Sequence, residues 1–334
     1  MRISALISAA TLAVATPALV PAFPDPGRGT ASSPKVVEYV IPRPGNFPHD
    51  PAVARDGTVW YTDQRNSYIG HLDPVSGKIV DFPTPTAGSG PHGITVAPDG
   101  SVWYTGQAAG LLGRLDPRTG KIVEYALPDE ARNPHTPIVY RDKVWFTDAN
   151  NNSYGRLDPQ TGKAQIFQAP TSGSVPYGIV SGPDGFIWIA LLGTNKLGRV
   201  NPEDGSMKEF LLPAEGARPR RVQVGADGTV WYTDYARGYL GALDPQTGRV
   251  REWRSPSGDA APYGIAIGTD GRIWYCESRT NTMVAFDPRT GKMETTKIPT
   301  ATAIVRHMQT DSTRHRIWLA LSGTGRLGKI ELGK

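Results

Sequence analysis

The stretch Pro91-His92-Gly93-Ile94-Thr95-Val96-Ala97-Pro98-Asp99-Gly100-Ser101-Val102-Trp103-Tyr104-Thr105 reads as two antiparallel strands about a tight turn. Asp-Gly between apolar runs is a hairpin signal, because glycine takes positive φ without a Cβ clash. A third strand ends at Gly113-Arg114-Leu115. Asp116-Pro117-Arg118-Thr119-Gly120-Lys121 then turns the chain into a fourth, Ile122-Val123-Glu124-Tyr125, with proline presetting φ and glycine again supplying a left-handed position.

This unit recurs along the 334 residues. Tryptophan stands at Trp60, Trp103, Trp145, Trp188, Trp231, Trp274 and Trp318, at intervals of 43, 42, 43, 43, 43 and 44. Helical repeats of this length would show a 3.6-residue apolar pattern, which is absent; short strands at a period of about 40 to 45 residues predict a propeller. The expected fold is all-β, a seven-bladed β-propeller of four-stranded antiparallel blades. Recurrence at one strand position makes these tryptophans core between blades, while Trp253 falls on an outer strand.

The last unit stops at Leu327-Gly328-Lys329-Ile330-Glu331 without a fourth strand. The body opens with an orphan strand, Val36-Val37-Glu38-Tyr39-Val40-Ile41-Pro42, that reads like Ile122-Val123-Glu124-Tyr125-Ala126-Leu127-Pro128. The N-terminal strand is therefore expected to complete the last blade and close the ring, removing the open end of a linear solenoid.

Ahead of that strand, an apolar stretch from Ile3 to Val20, interrupted by Pro17, ends in Val20-Pro21-Ala22. Residues 1–22 read as a signal peptide, 23–34 as a flexible Pro/Gly/Ser linker, and 35–334 as one propeller. The protein is expected to be exported, periplasmic or secreted, with no membrane span in the mature chain and a monomeric state. The single cysteine, Cys276, excludes an internal disulfide and sits in an apolar strand as an inert thiol. The formal charge of +5 is spread over turns without a basic stripe, which argues against nucleic acid as a partner.

At the start of each inner strand, eleven residues before the tryptophan or ten in the third unit, stand His49, His92, His135, Tyr177, Arg220, Tyr263 and His307. Both Gly-rich turn sets lie on one face of a propeller; these residues begin on the other, at the mouth of the central channel. A polar, non-uniform ring at a concave mouth predicts binding of a small-molecule or peptide-like ligand by His49, His92, His135, Tyr177, Arg220 and Tyr263. Arg218 and Arg306 beside it favour an anionic or carbonyl-rich ligand. The plainer reading is that each ring side chain bonds the neighbouring blade's backbone. Four of the six histidines, His307, His49, His92 and His135, fall in consecutive blades once the ring closes. Neutral imidazoles there suit a transition metal such as Zn or Cu. Three residues after the tryptophans, Asp63, Asp148, Asp234 and Glu277 could orient ligands, but the repeated Thr-Asp pair points to loop-closing hydrogen bonds.

Gly90-Pro91-His92-Gly93-Ile94-Thr95, Asp99-Gly100-Ser101-Val102-Trp103-Tyr104-Thr105 and Leu112-Gly113-Arg114-Leu115 resemble the blade motifs of the virginiamycin B lyase family, in register over all seven units. The resemblance implies elimination at an ester bond of a cyclic depsipeptide, with a last-blade histidine as base and Mg²⁺ held by two glutamates. The base corresponds to His307. The glutamate positions correspond to Val305 and to the vicinity of Ser322, and a sixth-blade histidine to Tyr263, so the Mg²⁺ ligands are absent. No carboxylate and amide cage of the gluconolactonase-like propellers is found either. Three readings stay open: a lyase-like enzyme on an ester or lactone-type substrate with His307 as base, a metal-dependent hydrolase, and a non-catalytic binding propeller.

Overall fold

The Asp99-Gly100 turn joins strand Pro91–Val96 to Val102–Gly106, with Gly100 at φ 86°. Strands Leu111–Leu115 and Ile122–Ala126 complete the blade, and Gly120 holds φ 71° in the turn between them. The computed structural model describes residues 34–333, so the expected signal peptide and all of the linker but Pro34 lie outside the described residues. Seven four-stranded antiparallel sheets form a ring whose inner strands neighbour one another in order, the seventh against the first. The third blade is a residue shorter because Arg141 and Asp142, at φ 47° and 61°, make a two-residue turn where five other blades use glycine. No helix among the described residues is long and apolar enough to cross a membrane.

Ring closure follows the sequence reading. Val36–Val40 pairs antiparallel with Arg326–Glu331, from Val36 opposite Ile330 to Val40 opposite Arg326. Tyr39 lies 5.5 Å from the Trp318 ring, as Tyr125 lies 5.6 Å from Trp103. Glu38 accepts from the Thr300 amide at 3.0 Å, and Glu124 accepts from Thr86 in the same way at 3.1 Å. The orphan strand thus reproduces the contacts of a fourth strand, not only its hydrogen-bond ladder.

The seven ring-forming tryptophans are at most 5 % exposed and pack between blades. Trp253 stacks 5.8 Å from Trp231 on its own blade's outer strand. The threonine two residues past several tryptophans links blades. Thr62 Oγ1 donates to the His92 carbonyl at 2.7 Å, and Thr105, Thr147 and Thr233 do the same to His135, Tyr177 and Tyr263. The same oxygens accept from the amides of Asp50, Gly93, Thr136 and Arg221. Those amides are free because every inner strand carries a bulge at its second or third residue, as between Pro48 and Pro51. The bulge sets the direction of the ring side chains.

Candidate functional site at the channel mouth

Six inner strands begin with proline, and the ring residue follows it: Pro48–Val53, Pro91–Val96, Pro134–Tyr140, Pro176–Ser181, Pro219–Val224 and Pro262–Ile267. In the seventh, Val305–Asp311, Arg306 takes the proline's place ahead of His307. The structure brings six of the seven ring side chains together in a continuous row of tilted contacts, His307 excepted. His49 and His92 lie 3.7 Å apart between ring centroids, His92 and His135 3.9 Å, and His135 and Tyr177 3.7 Å. The Tyr177 and Tyr263 hydroxyls are 2.7 Å apart, and Arg220 Nη2 donates to Tyr177 at 2.9 Å while its guanidinium lies 3.8 Å from the Tyr263 ring centroid. Five of the seven are buried; Arg220 and His307 stay partly exposed.

Beneath the stack lies a buried ion pair that the sequence reading missed. Arg221 Nη2 is 3.3 Å from both oxygens of Asp50, on an inner strand across the channel, and Arg221 Nη1 donates to Thr136 Oγ1 at 3.0 Å. Both occupy the bulge position just after the ring residue, where three other blades have Gly93, Gly178 and Gly264. Opposite charges at one repeat position were the available signal. Removed from water, each charge is tolerated only because the other is there. Burial alone would raise the Asp50 carboxyl, but Arg221, His307 and His49 together outweigh it and hold the group well below the usual carboxylate range.

Three histidines have a partner on Nδ1: His49 on Asp50 at 2.8 Å, His92 on the His135 carbonyl at 3.1 Å, and His135 on Thr136 Oγ1 at 2.8 Å. His307 Nδ1 has none among the described residues. Burial lowers all four imidazoles. His92 and His135 fall well below the ordinary histidine value, with the neighbouring histidine adding to the effect, and His307 falls to about 3, with Arg221 adding to it. All four are therefore neutral at pH 7. Burial would raise the Tyr263 hydroxyl, yet Arg220, Arg221 and then Arg306 reverse this and lower it.

His49, Asp50 and His92 offer donor atoms within 4.8 Å of one another; His135 stacks beside them and His307 is outside that group. Both Asp50 oxygens already face Arg221. The Mg²⁺ that the resemblance implies does not fit these residues. Val305 is 1 % exposed in the apolar core, the Ser322 hydroxyl donates to the Pro48 carbonyl, and the positive charges of Arg220, Arg221 and Arg306 bear on the mouth. The acids after the tryptophans close loops: Asp63 accepts from the Phe47 amide, Asp148 from Asn133 and Asp234 from Arg218, at 2.7–3.0 Å.

The profile of the Virginiamycin B lyase family matches residues 27–159 and 137–334. The chain belongs to this family. The Staphylococcus aureus virginiamycin B lyase is 26 % identical, with a TM-score of 0.83, over 90 % of this chain and 100 % of that one. Its catalytically inactive histidine-to-alanine variant, solved with quinupristin, matches at 26 % identity and a TM-score of 0.84, over the same shares. Kuenenia stuttgartiensis hydrazine synthase, at 12 % identity and a TM-score of 0.73 over 88 % of this chain and 97 % of that one, shares the fold alone. Comparison with curated proteins gives no significant match. Membership fixes the propeller and its register, while this member has Val305 and Ser322 where carboxylates are implied, with Arg220 and Arg306 nearby.

Proposed function

We propose that this protein is an exported lyase-like propeller that opens an ester or lactone-type substrate with His307 as base and without a metal. One observation carries the reading: among the described residues His307 is the ring histidine that is partly exposed and has no partner on Nδ1, an atom that is itself buried. Its low pKa keeps the imidazole unprotonated at neutral pH. In the elimination, His307 takes the proton from the carbon next to a carbonyl. The C–H electrons form the new C=C bond, the adjacent C–O bond breaks, and the carboxylate leaves with that bond's electron pair. Arg220 and Arg306, neither bonded to a carboxylate among the described residues, supply the positive charge that stabilises the enolate-like transition state.

Quinupristin and simple β-acyloxy esters are the substrates for the test, with mass spectrometry as the readout in the presence of EDTA. Elimination leaves the mass of a ring-opened cyclic substrate unchanged, whereas hydrolysis adds one water. Turnover with unchanged mass, abolished in His307→Ala at an unaltered melting temperature, supports the proposal. An unchanged rate in His307→Ala removes His307 from the mechanism, and a gain of water would indicate hydrolysis. The absence of acidic residues at Val305 and Ser322 favours a second reading, a non-catalytic propeller that binds its ligand at the same mouth.

A further inference from the structure

Below the stacked ring, the central channel encloses a cavity of about 380 Å³. Its walls are mixed, with the apolar Ile94, Ile138, Ile179 and Ile267 alongside the polar Thr95, Gln223, Gln309 and Thr310. Arg221 and His307 meet it at the mouth end of their strands, and exposed Ala226 lines it at the turn face, so the cavity opens there. Such a volume lies in the range of small-molecule sites, which are apolar with a few convergent polar groups.

Two of those polar groups lack a partner among the described residues. Arg221 is 2 % exposed and spends Nη1 on Thr136 and Nη2 on Asp50, but its buried Nε bonds nothing, and neither does His307 Nδ1. Buried donors left unpaired are costly, and a ligand that satisfies them gains accordingly. At His307 the charge of Arg221 outweighs that of Asp50, so the local potential is positive and an anionic acceptor suits it better than a neutral one.

We propose that this cavity binds a small monocarboxylate with an apolar body, which enters from the turn face and sets its carboxylate against Arg221 Nε and His307. The site shares His307 with the proposed lyase reading, but binding requires no turnover, so a binding assay and a turnover assay separate the two.

Isothermal titration of the full chain with hexanoate, and with hexanamide as its uncharged counterpart, tests the site. Hexanoate should bind once per chain with a Kd of about 1 mM or tighter, and hexanamide roughly tenfold more weakly. Thr95→Phe narrows the cavity wall at a half-buried position and should abolish binding. His307→Leu, which leaves the wall intact, should weaken hexanoate to the level of hexanamide, and hexanoate should shift the His307 imidazole resonances in the wild type. Equal binding of the two ligands overturns the anionic class. No saturable binding, or wild-type affinity in a folded Thr95→Phe and in His307→Leu, overturns the site. Hexanoate binding in a protein that turns over no ester supports the site and leaves only the lyase reading to fall.

Discussion

Acid should weaken this propeller well above the pH at which carboxylates titrate. In the unfolded chain a histidine takes up its proton near pH 6.5. In the folded chain burial holds His92 and His135 well below that value and His307 at about 3. Between these limits the unfolded state binds more protons, so stability rises with pH; the contribution is complete above about pH 7 and is lost as pH falls toward the folded values. From pH 7 to pH 5 His307 alone forfeits about 2 kcal/mol, and His92 and His135 add to the loss in the same direction. His49, lowered for the same reason, adds in the same direction. Unfolding a body of this size carries an entropy of about 0.6 kcal/mol per degree, so His307 alone should lower the melting temperature by about 3 °C, and the other buried histidines should lower it further. Scanning calorimetry and urea titration at pH 7, 6 and 5 measure it, and a folded His92→Leu variant should show a smaller drop than the wild type. A fall of less than about 3 °C in the wild type would refute the idea that these histidines are buried and neutral.

Removing residues 36–42 should expose the edge of Arg326–Glu331 and lead to aggregation or a melting temperature many degrees lower; size-exclusion chromatography and a thermal melt decide, and an unchanged melt would mean the strand is dispensable. Asp50→Ala leaves Arg221 buried without its counter-charge and should cost about 3 to 5 kcal/mol in urea unfolding, whereas Asp50→Leu combined with Arg221→Leu should cost less than Asp50→Ala alone. Burial pushes the Cys276 thiol up to about 11, so a thiol reagent should not label it at pH 8 until denaturant is added, and rapid labelling of the native protein would contradict its place in the core.

The architecture was legible because its signals are local and repeated. The Asp-Gly and Asp-Pro-x-Thr-Gly turns, the tryptophan period and the likeness of Val36-Val37-Glu38-Tyr39 to Ile122-Val123-Glu124-Tyr125 each need only a few adjacent residues, and seven copies make the pattern self-checking. The ring of His49, His92, His135, Tyr177, Arg220, Tyr263 and His307 was legible as a set for the same reason, since one position in a repeat maps to one position around the axis.

What distinguishes the members of that set was decided by the closed ring. Whether an imidazole is occupied or free depends on groups brought from other blades, as Thr136 is brought to Arg221 and Arg221 to Asp50 across 171 positions of chain. Sequence spacing carries no record of such contacts, because they are set by how far a side chain reaches over a channel whose width follows from the packing of all seven blades. Sequence alone therefore determined the propeller, its closure and the candidate ring. The tertiary structure decided that His49, His92 and His135 are held by neighbours, that His307 is free, and that guanidinium charge occupies a mouth where the family likeness implied a metal.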